Sequence, residues 1–214
     1  MTDAPRFITE SVPTIAIESI TLEGKYVRLE PLSIMHHAAL SEVALDEELW
    51  RWMPAQVRTP DEMRRFIEQA LKLRAEGTTL AFAIIYKPTN SVAGSSRFLS
   101  IDTHNRHVEI GATFVGKQWQ RTPVNTEVKY LMLRHAFETW HCLRVEFKTD
   151  ALNEKSRAAL TRIGAKEEGI FRNHILCADG RVRNSVYFSI TDREWPAIKA
   201  DLEAKLAKPY PAQA

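Results

Sequence analysis

The sequence predicts an α/β (α+β) domain, a mixed sheet covered by helices on both of its faces. Three observations carry that expectation. Strand-like and helix-like runs follow one another in the order β-αα-α-βββ-α-β-α-ββ-α, which a helix-covered mixed sheet accommodates. The run 80–86, LAFAIIY, is apolar on both of its faces, as a strand buried from two sides must be. The helix-like runs after Thr59 and after Asp192 instead carry one apolar stripe each, Met63, Phe66, Ile67, Ala70 and Leu71 in the first and Trp195, Ile198, Leu202 and Leu206 in the second, the mark of elements that pack on a layer.

Taken in order, residues 1–21 contain Pro5 and Pro13 and read as an irregular arm or edge strand. Residues 22–207 then form one domain, with 208–214 as a tail. Residues 26–30 alternate as a strand that Pro31 ends, and residues 34–45 and 47–53 read as a helix and a second, short one. Thr59-Pro60-Asp61-Glu62 is a helix start: Thr59 can accept a backbone N–H, Pro60 suits the first turn and Glu62 completes a capping box. Met63, Phe66, Ile67, Ala70 and Leu71 form its stripe and Gly77 its left-handed stop. Strands at 80–86, 92–101 and 107–115 follow, the third after a turn at Asn105-Arg106. A polar loop at 116–125 leads to an apolar helix at 126–140. Leu143, Val145 and Phe147 alternate with Arg144, Glu146 and Lys148 in the next strand. Residues 153–163 form a helix stopped by Gly164, Asp179-Gly180 joins two strands as a hairpin, and Asp192 caps a last helix.

The 214 residues carry 29 Lys+Arg against 27 Asp+Glu, a net charge of +2, which removes the electrostatic case for nucleic-acid binding. The longest apolar run is far short of the roughly 20 residues that span a membrane, so no membrane partner is expected. No basic start followed by an apolar run opens the chain, and a cytoplasmic location is the expectation. Cys142 and Cys177 lack metal-ligand spacing and read as buried reduced thiols. The histidines, at 36, 37, 104, 107, 135, 141 and 174, form no His-x-x-x-His pair, so no metal is expected. Only 8 glycines occur, which matters because most phosphate-binding loops are rich in them.

A strand, a polar loop and a helix N-terminus in succession make a site for phosphate, since the first-turn N–H groups lack partners. Here that stretch is Gln120-Arg121-Thr122-Pro123-Val124-Asn125-Thr126. With it, the chain from Leu22 to about Leu206 resembles the GNAT superfamily of acyl-CoA-dependent N-acetyltransferases, nearest to the RimJ/RimL-type branch that acetylates ribosomal-protein N-termini. The motifs are Gly24-Lys25-Tyr26-Val27-Arg28-Leu29-Glu30-Pro31, Val108-Glu109-Ile110-Gly111, Trp119 with Thr126-Glu127, Ala136-Phe137, and Asn153-Glu154-Lys155-Ser156-Arg157-Ala158 with Ile163-Gly164-Ala165. The resemblance implies a mostly antiparallel sheet of about seven strands, splayed between the fourth and fifth. It also implies acetyl-CoA as co-substrate, its pantetheine lying between 108–115 and 143–149, with Phe114 and Val115 on the path.

The family's loop is Gln/Arg-x-x-Gly-x-Gly/Ala, and Pro123 and Asn125 stand where small residues are expected. Either a stiffened loop still holds the phosphates, with Gln120, Arg121, Thr122, Val124, Asn125 and Thr126 around them, or coenzyme binding has decayed. Gly111 fits a bulge that opens the splay, or a close-packed strand glycine.

Acetyl transfer needs a neutral amine. At pH 7 that costs an α-amine about 1 kcal/mol and a lysine about 4.6 kcal/mol. Glu109, read on one strand face with His107, Gly111 and Thr113, is the leading base; a structural ion pair is its alternative. His107 has the better ordinary pKa but a position nearer the surface. The tyrosine acid of many GNAT members is replaced by Leu160, and the resemblance transfers the role of acid to Ser156. Asn153 would meet the pantetheine amides, cap its helix, or do both. Lys155 and Arg157 could reach the outer phosphate or remain solvated. Asp46, Glu47 and Glu48 precede Trp50, Trp52 and Met53, as an acceptor-binding rim or as a helix start with core aromatics. The resulting expectation is an acetyl-CoA-dependent N-acetyltransferase acting on a primary amine, a peptide N-terminus foremost. A small-molecule amine acetyltransferase and a catalytically silent acyl-CoA-binding module are the alternatives. Monomer and homodimer both remain open.

Overall fold

The computed structural model describes residues 7–8 and 14–210; the first part of the expected arm and residues 211–214 lie outside them. Among the described residues eight strands form one sheet: β1 (Leu22–Glu23), β2 (Val27–Pro31), β3 (Leu80–Tyr86), β4 (Ser91–Asp102), β5 (His107–Val115), β6 (Arg144–Asp150), β7 (Lys166–Leu176) and β8 (Val182–Thr191). Their order across the sheet is β1-β2-β3-β4-β5-β6-β8-β7. All neighbours run antiparallel except β5 and β6. The helices are α1 (His37–Ala44), α2 (Pro60–Ala75), α3 (Pro123–Arg134), α4 (Glu154–Arg162) and α5 (Trp195–Ala207). The expected architecture is present with one strand more, because Leu22–Glu23 folds back on β2.

Local rules placed most element ends. Thr59 Oγ1 accepts Glu62 N at 3.2 Å while Glu62 Oε2 accepts Thr59 N at 3.1 Å, the expected capping box. Gly77, Gly164 and Gly180 take φ of +72°, +90° and +83°, the left-handed stops and hairpin turn that need no Cβ. Three ends differ. Residues 47–53 give only a 3₁₀ turn at Glu47–Leu49. The last helix has Glu194, not Asp192, at its N-cap position and no side-chain cap bond there, since the chain still turns through 192–194 after β8. Helix α3 starts at Pro123, three residues before Thr126, and closes as a π-turn at His135–Thr139.

Two apolar clusters flank the sheet. The larger joins Val128, Leu131 and Met132 of α3 and Trp195 and Leu202 of α5 to Phe82, Phe98, Val108, Ile110, Val145 and Phe147. The smaller joins Leu40 of α1 and Met63, Phe66 and Ile67 of α2 to Ala81, Ala83, Ile85 and Phe114. Ile15, before β1, is buried in the larger cluster, and Ala16 O accepts the indole N–H of Trp140 at 3.1 Å. Glu127 ties α3 to the first hairpin. Its carboxylate accepts Lys25 N, Tyr26 N and Val27 N at 2.7, 2.6 and 2.7 Å. A Cβ on Gly24 would stand 2.5 Å from its carboxyl carbon, so the Gly24 and Glu127 motifs are two halves of one contact.

Both cysteines are buried and free. Burial pushes the Cys142 thiol up to about 12.

Candidate active site

The site begins where the sheet fails to close. β5 and β6 pair only at His107/Arg144, Val108/Val145 and Glu109/Glu146, then continue to Val115 and Asp150 without pairing. The cause is a bulge at Ala112, whose φ is +45°, matched by a register shift against β4 between Ser95 and Arg97. The bulge thus lies one residue beyond Gly111. Gly111 serves a different need: a Cβ there would stand 2.9 Å from Glu109 Oε1 and 3.0 Å from Leu99 Cδ1. Its missing side chain lets the Glu109 carboxylate lean over the strand at the start of the opening. The bulge also reverses the alternation of β5. Val108, Ile110 and Val115 lie in the α3-side cluster and Phe114 in the opposite one. Thr113 therefore faces α3, bonded to Lys129 Nζ at 2.8 Å, and not the face that Glu109 occupies.

The loop before α3 is built without glycine in its turn. Arg121 takes the left-handed conformation, at φ +61°. Thr122 is the N-cap: its hydroxyl accepts Val124 N at 3.3 Å and donates to Trp119 O at 2.6 Å. Pro123 follows in the first turn, where its missing N–H costs no helical bond. Gln120 Nε2 holds the loop to β5 through Val115 O at 3.2 Å. Val124 and Thr126 turn their side chains inward, and Thr126 Oγ1 accepts Arg162 Nη2 at 3.0 Å. Phe114 and Val115 are also core side chains, so only their backbone can face the opening. Asn125 is the exception, because its Oδ1 is buried with no partner among the described residues. A half-turn of that amide puts its NH₂ donors where Oδ1 now lies, in the first turn of α3 that Thr122 caps. These features fit a diphosphate.

On the α1–α2 face, Glu109 is 5% exposed and Lys148 Nζ stands 3.0 Å from its Oε2. Lys148 lies 5.7 Å from the centre of the Tyr187 ring, which packs on Phe171 and His174. Asp150 is buried and paired with Arg181 Nη1 at 2.5 Å. Arg97 and Arg183 are each 4% exposed, and their Nε atoms are without partners among the described residues. Desolvation brings Arg97 down to about 10. Desolvation also lowers His174, with Lys148 and Arg183 adding to it. His107 is held 3.4 Å from Asp102 at the strand's start, an ion-pair geometry away from the opening.

Trp50 is no rim residue. It is fully buried, its indole N–H donates to Ala44 O at 2.6 Å, and it packs on Phe66 and Phe114 with centroids 5.2 Å away. Trp52 is half-buried, with the guanidinium groups of Arg51 and Arg181 at 5.0 and 5.4 Å from its ring. The β7–β8 hairpin reaches this loop: Ala178 N donates to Pro54 O at 3.0 Å and Arg183 Nη1 stands 3.5 Å from Trp52 O.

At the head of α4, Asn153 is the N-cap, accepting Ser156 N at 3.0 Å. Ser156 is half-buried and Lys155 exposed. Arg157 is engaged with Glu167 Oε2 at 3.2 Å and Ala151 O at 3.4 Å. Leu160 is buried in the α3-side core. The group that sequence reasoning missed is Lys129, 6% exposed on the inner face of α3. Its signal was available: a lysine inside the apolar run 128–133, one helical turn before Leu133.

A parallel pair that parts beside a helix N-terminus, with a carboxylate at the fork, is the framework of an acyltransferase. The sequence pattern of the acetyltransferase (GNAT) domain family matches residues 27–166, more than half of the chain, and the chain belongs to that family of N-acetyltransferases. Its fold matches a solved GCN5-related N-acetyltransferase from Brucella melitensis, 34% identical, with a TM-score of 0.86 over 94% of this chain and 91% of that one. A relative described as the uncharacterized N-acetyltransferase p20 of Bacillus licheniformis is 27% identical over 82% of this chain and 98% of its own. The structure of Mycobacterium smegmatis RimJ in complex with CoA-disulfide has a TM-score of 0.73 at 23% identity, covering 84% of this chain and 88% of that one, a likeness of fold alone. Among the described residues no helix is long and apolar enough to cross a membrane, and no His/Cys/Asp/Glu cluster could hold a metal.

Proposed function

We propose that this protein transfers the acetyl group of acetyl-CoA to a primary amine, foremost a peptide N-terminus, by direct attack on the thioester. The observation that carries the reading is the opening between β5 and β6, where backbone left unpaired beyond Glu109 and Glu146 can hydrogen-bond the pantetheine amides as a missing strand would. The diphosphate would rest on the first turn of α3, with Asn125 and the Thr122–Thr126 backbone around it. Lys155 supplies an exposed cation near the coenzyme's outer end, whereas Arg157 is taken by Glu167. Asn153 and the Ser156 hydroxyl would hydrogen-bond the pantetheine and the sulfur.

The acceptor enters from the opposite face, between Trp52 and the β7–β8 hairpin. Glu109 accepts the proton that the attacking nitrogen loses, directly or through one water, and Lys148 orients its carboxylate. An α-amine suits a carboxylate base because reaching its neutral form at pH 7 costs only about 1 kcal/mol. It is also the acceptor class of the RimJ/RimL-type branch that the sequence resembles. Much of the acceleration comes from holding thioester and amine together and from polarising the carbonyl by backbone N–H at the bulge. Residues 22–207 form the catalytic domain in this reading.

The test is calorimetric titration with acetyl-CoA, followed by thiol release across a panel of peptides and small amines. Binding with turnover on peptides is the expected result. Turnover on small amines alone would replace the acceptor class, and binding without turnover on any amine would make the protein a silent acyl-CoA-binding module.

A further inference from the structure

Departure of the coenzyme sulfur needs a proton, and the position where the resemblance looks for a tyrosine holds Leu160, an apolar side chain in the core. The opening nevertheless has a titratable group on that face. We propose that Lys129 is the general acid of the transfer, giving its proton to the sulfur as the thioester breaks. The proposal rests on the reading of the β5–β6 opening as the thioester's seat.

Lys129 reaches the opening from α3, beneath the stretch where β5 and β6 no longer pair. Its Nζ donates to Thr113 Oγ1 at 2.8 Å, one residue past the Ala112 bulge, and stands 5.7 Å from the centre of the Phe147 ring on β6. The amine is thus bonded to the β5 edge of the gap and lies beside an aromatic ring of the β6 edge. Thr113 is held in turn, its Oγ1 lying 2.7 Å from Ser96 Oγ and 3.3 Å from Gly111 O. An ammonium has three donors, and the Thr113 bond uses one of them, leaving N–H directions for a sulfur in the gap.

The charges around it are few. Glu109 of β5 acts from across the strand and raises its pKa, and Lys148 of β6 lies beyond, paired with Glu109. Arg162 of α4 is held one turn away on Thr126, and the adjacent Glu127 is engaged with the β1–β2 turn. Ser96 and Phe147 bring no charge. Desolvation dominates and brings the amine from 10.5 down to about 7. An acid in that range is partly protonated at neutral pH and can protonate a leaving thiolate, whose conjugate thiol ordinarily has a pKa of about 8.5. The Ser156 hydroxyl can hydrogen-bond the sulfur but releases no proton at neutral pH, so the two roles are distinct.

The step balances. The nitrogen lone pair of the acceptor attacks the thioester carbon and the C–N bond forms. The C–S bond breaks, sulfur leaves with the bonding pair, and Lys129 supplies its proton to give the free thiol. The surplus proton of the acceptor nitrogen passes to Glu109, and solvent returns a proton to Lys129.

The experiment measures thiol release by the full chain with acetyl-CoA and an amine acceptor from about pH 6 to 10. The wild type loses kcat on the alkaline side as Lys129 deprotonates. In Lys129→Met the rate drops roughly 100-fold and that alkaline limb disappears, while acetyl-CoA affinity by calorimetry stays within about threefold. Thr113→Val, which keeps the amine and removes its partner, shifts the limb, and it serves if the methionine variant does not fold. A Lys129→Met enzyme that turns over at the wild-type rate, or keeps the alkaline limb, overturns the proposal, as does an unmoved limb in Thr113→Val. Wild-type protein that binds no acetyl-CoA refutes the seat itself, a distinct failure that carries this proposal with it.

Discussion

The two faces of the sheet at the β5–β6 opening differ in how they treat charge. Toward α1 and α2 the opening is ringed by Glu109–Lys148, Asp150–Arg181, Arg97 and Arg183, with His174 and Tyr187 alongside. Toward α3 its walls are Val108, Ile110, Val128 and Phe147, and Lys129 is the cation among them. The charged face suits a polar amine arriving from water. The apolar face suits the pantetheine arm, which is held by backbone and needs little from side chains. A lysine on the apolar face is costly when charged, because no carboxylate touches it there. That cost is what holds its amine near neutrality.

The contrast can be broken most forcefully through its aromatics. Trp50→Ala removes a fully buried ring from the α2-side core and should cost about 3–5 kcal/mol in chemical denaturation. Trp52→Ala, two residues on and half-buried, should leave stability within about 1 kcal/mol and act on the acceptor KM.

Lys129→Met sharpens the contrast by its pH dependence. The unfolded chain holds that proton up to about 10.5 and the folded one only to about 7, so the folded state is penalised fully below pH 7. The penalty is relieved as pH rises through that window. The methionine variant should therefore be the more stable by roughly a few kcal/mol at pH 6–7, with the advantage gone near 10.5. A stability difference that does not change with pH would contradict the burial account.

On the charged face, Glu109→Gln should lower kcat roughly 100-fold, equivalent to about 2.7 kcal/mol, without weakening acetyl-CoA binding in calorimetry. His135, at the far end of α3, should give the smallest effect. Desolvation, aided by Arg134, holds it down at about 4, so wild-type stability falls as pH drops from about 6.5 to 4 while the unfolded chain takes up the proton. His135→Leu should flatten that acid limb by on the order of 1 kcal/mol, its partial exposure limiting the gain.

What the sequence made legible were rules of short range. The Thr59–Glu62 box, the Gly77 and Gly164 stops and the Asp179-Gly180 turn each depend on residues within a few positions of one another. The ordered motifs also pointed to the opening and to Glu109 beside it. The remainder was written in contacts between distant segments. Ala112 is forced into a left-handed conformation by its place in the sheet, so no glycine marks the bulge and the face of Thr113 is misread. Trp50 and Trp52 have the same composition signal, and only the packing of α2 decides which is core. Arg157 reads as a free cation until β7 brings Glu167 beside it. Lys129 lies in a run recognised by its apolar neighbours, which hid a buried lysine among them.

The central claim is that the parted strands seat an acyl thioester, and a crystal structure with acetyl-CoA bound tests it most directly. The account predicts the diphosphate against residues 122–126, the pantetheine between β5 beyond Gly111 and β6 beyond Glu146, and the sulfur within hydrogen-bond reach of Lys129. Coenzyme bound elsewhere, with the β5–β6 gap filled by solvent, would contradict it.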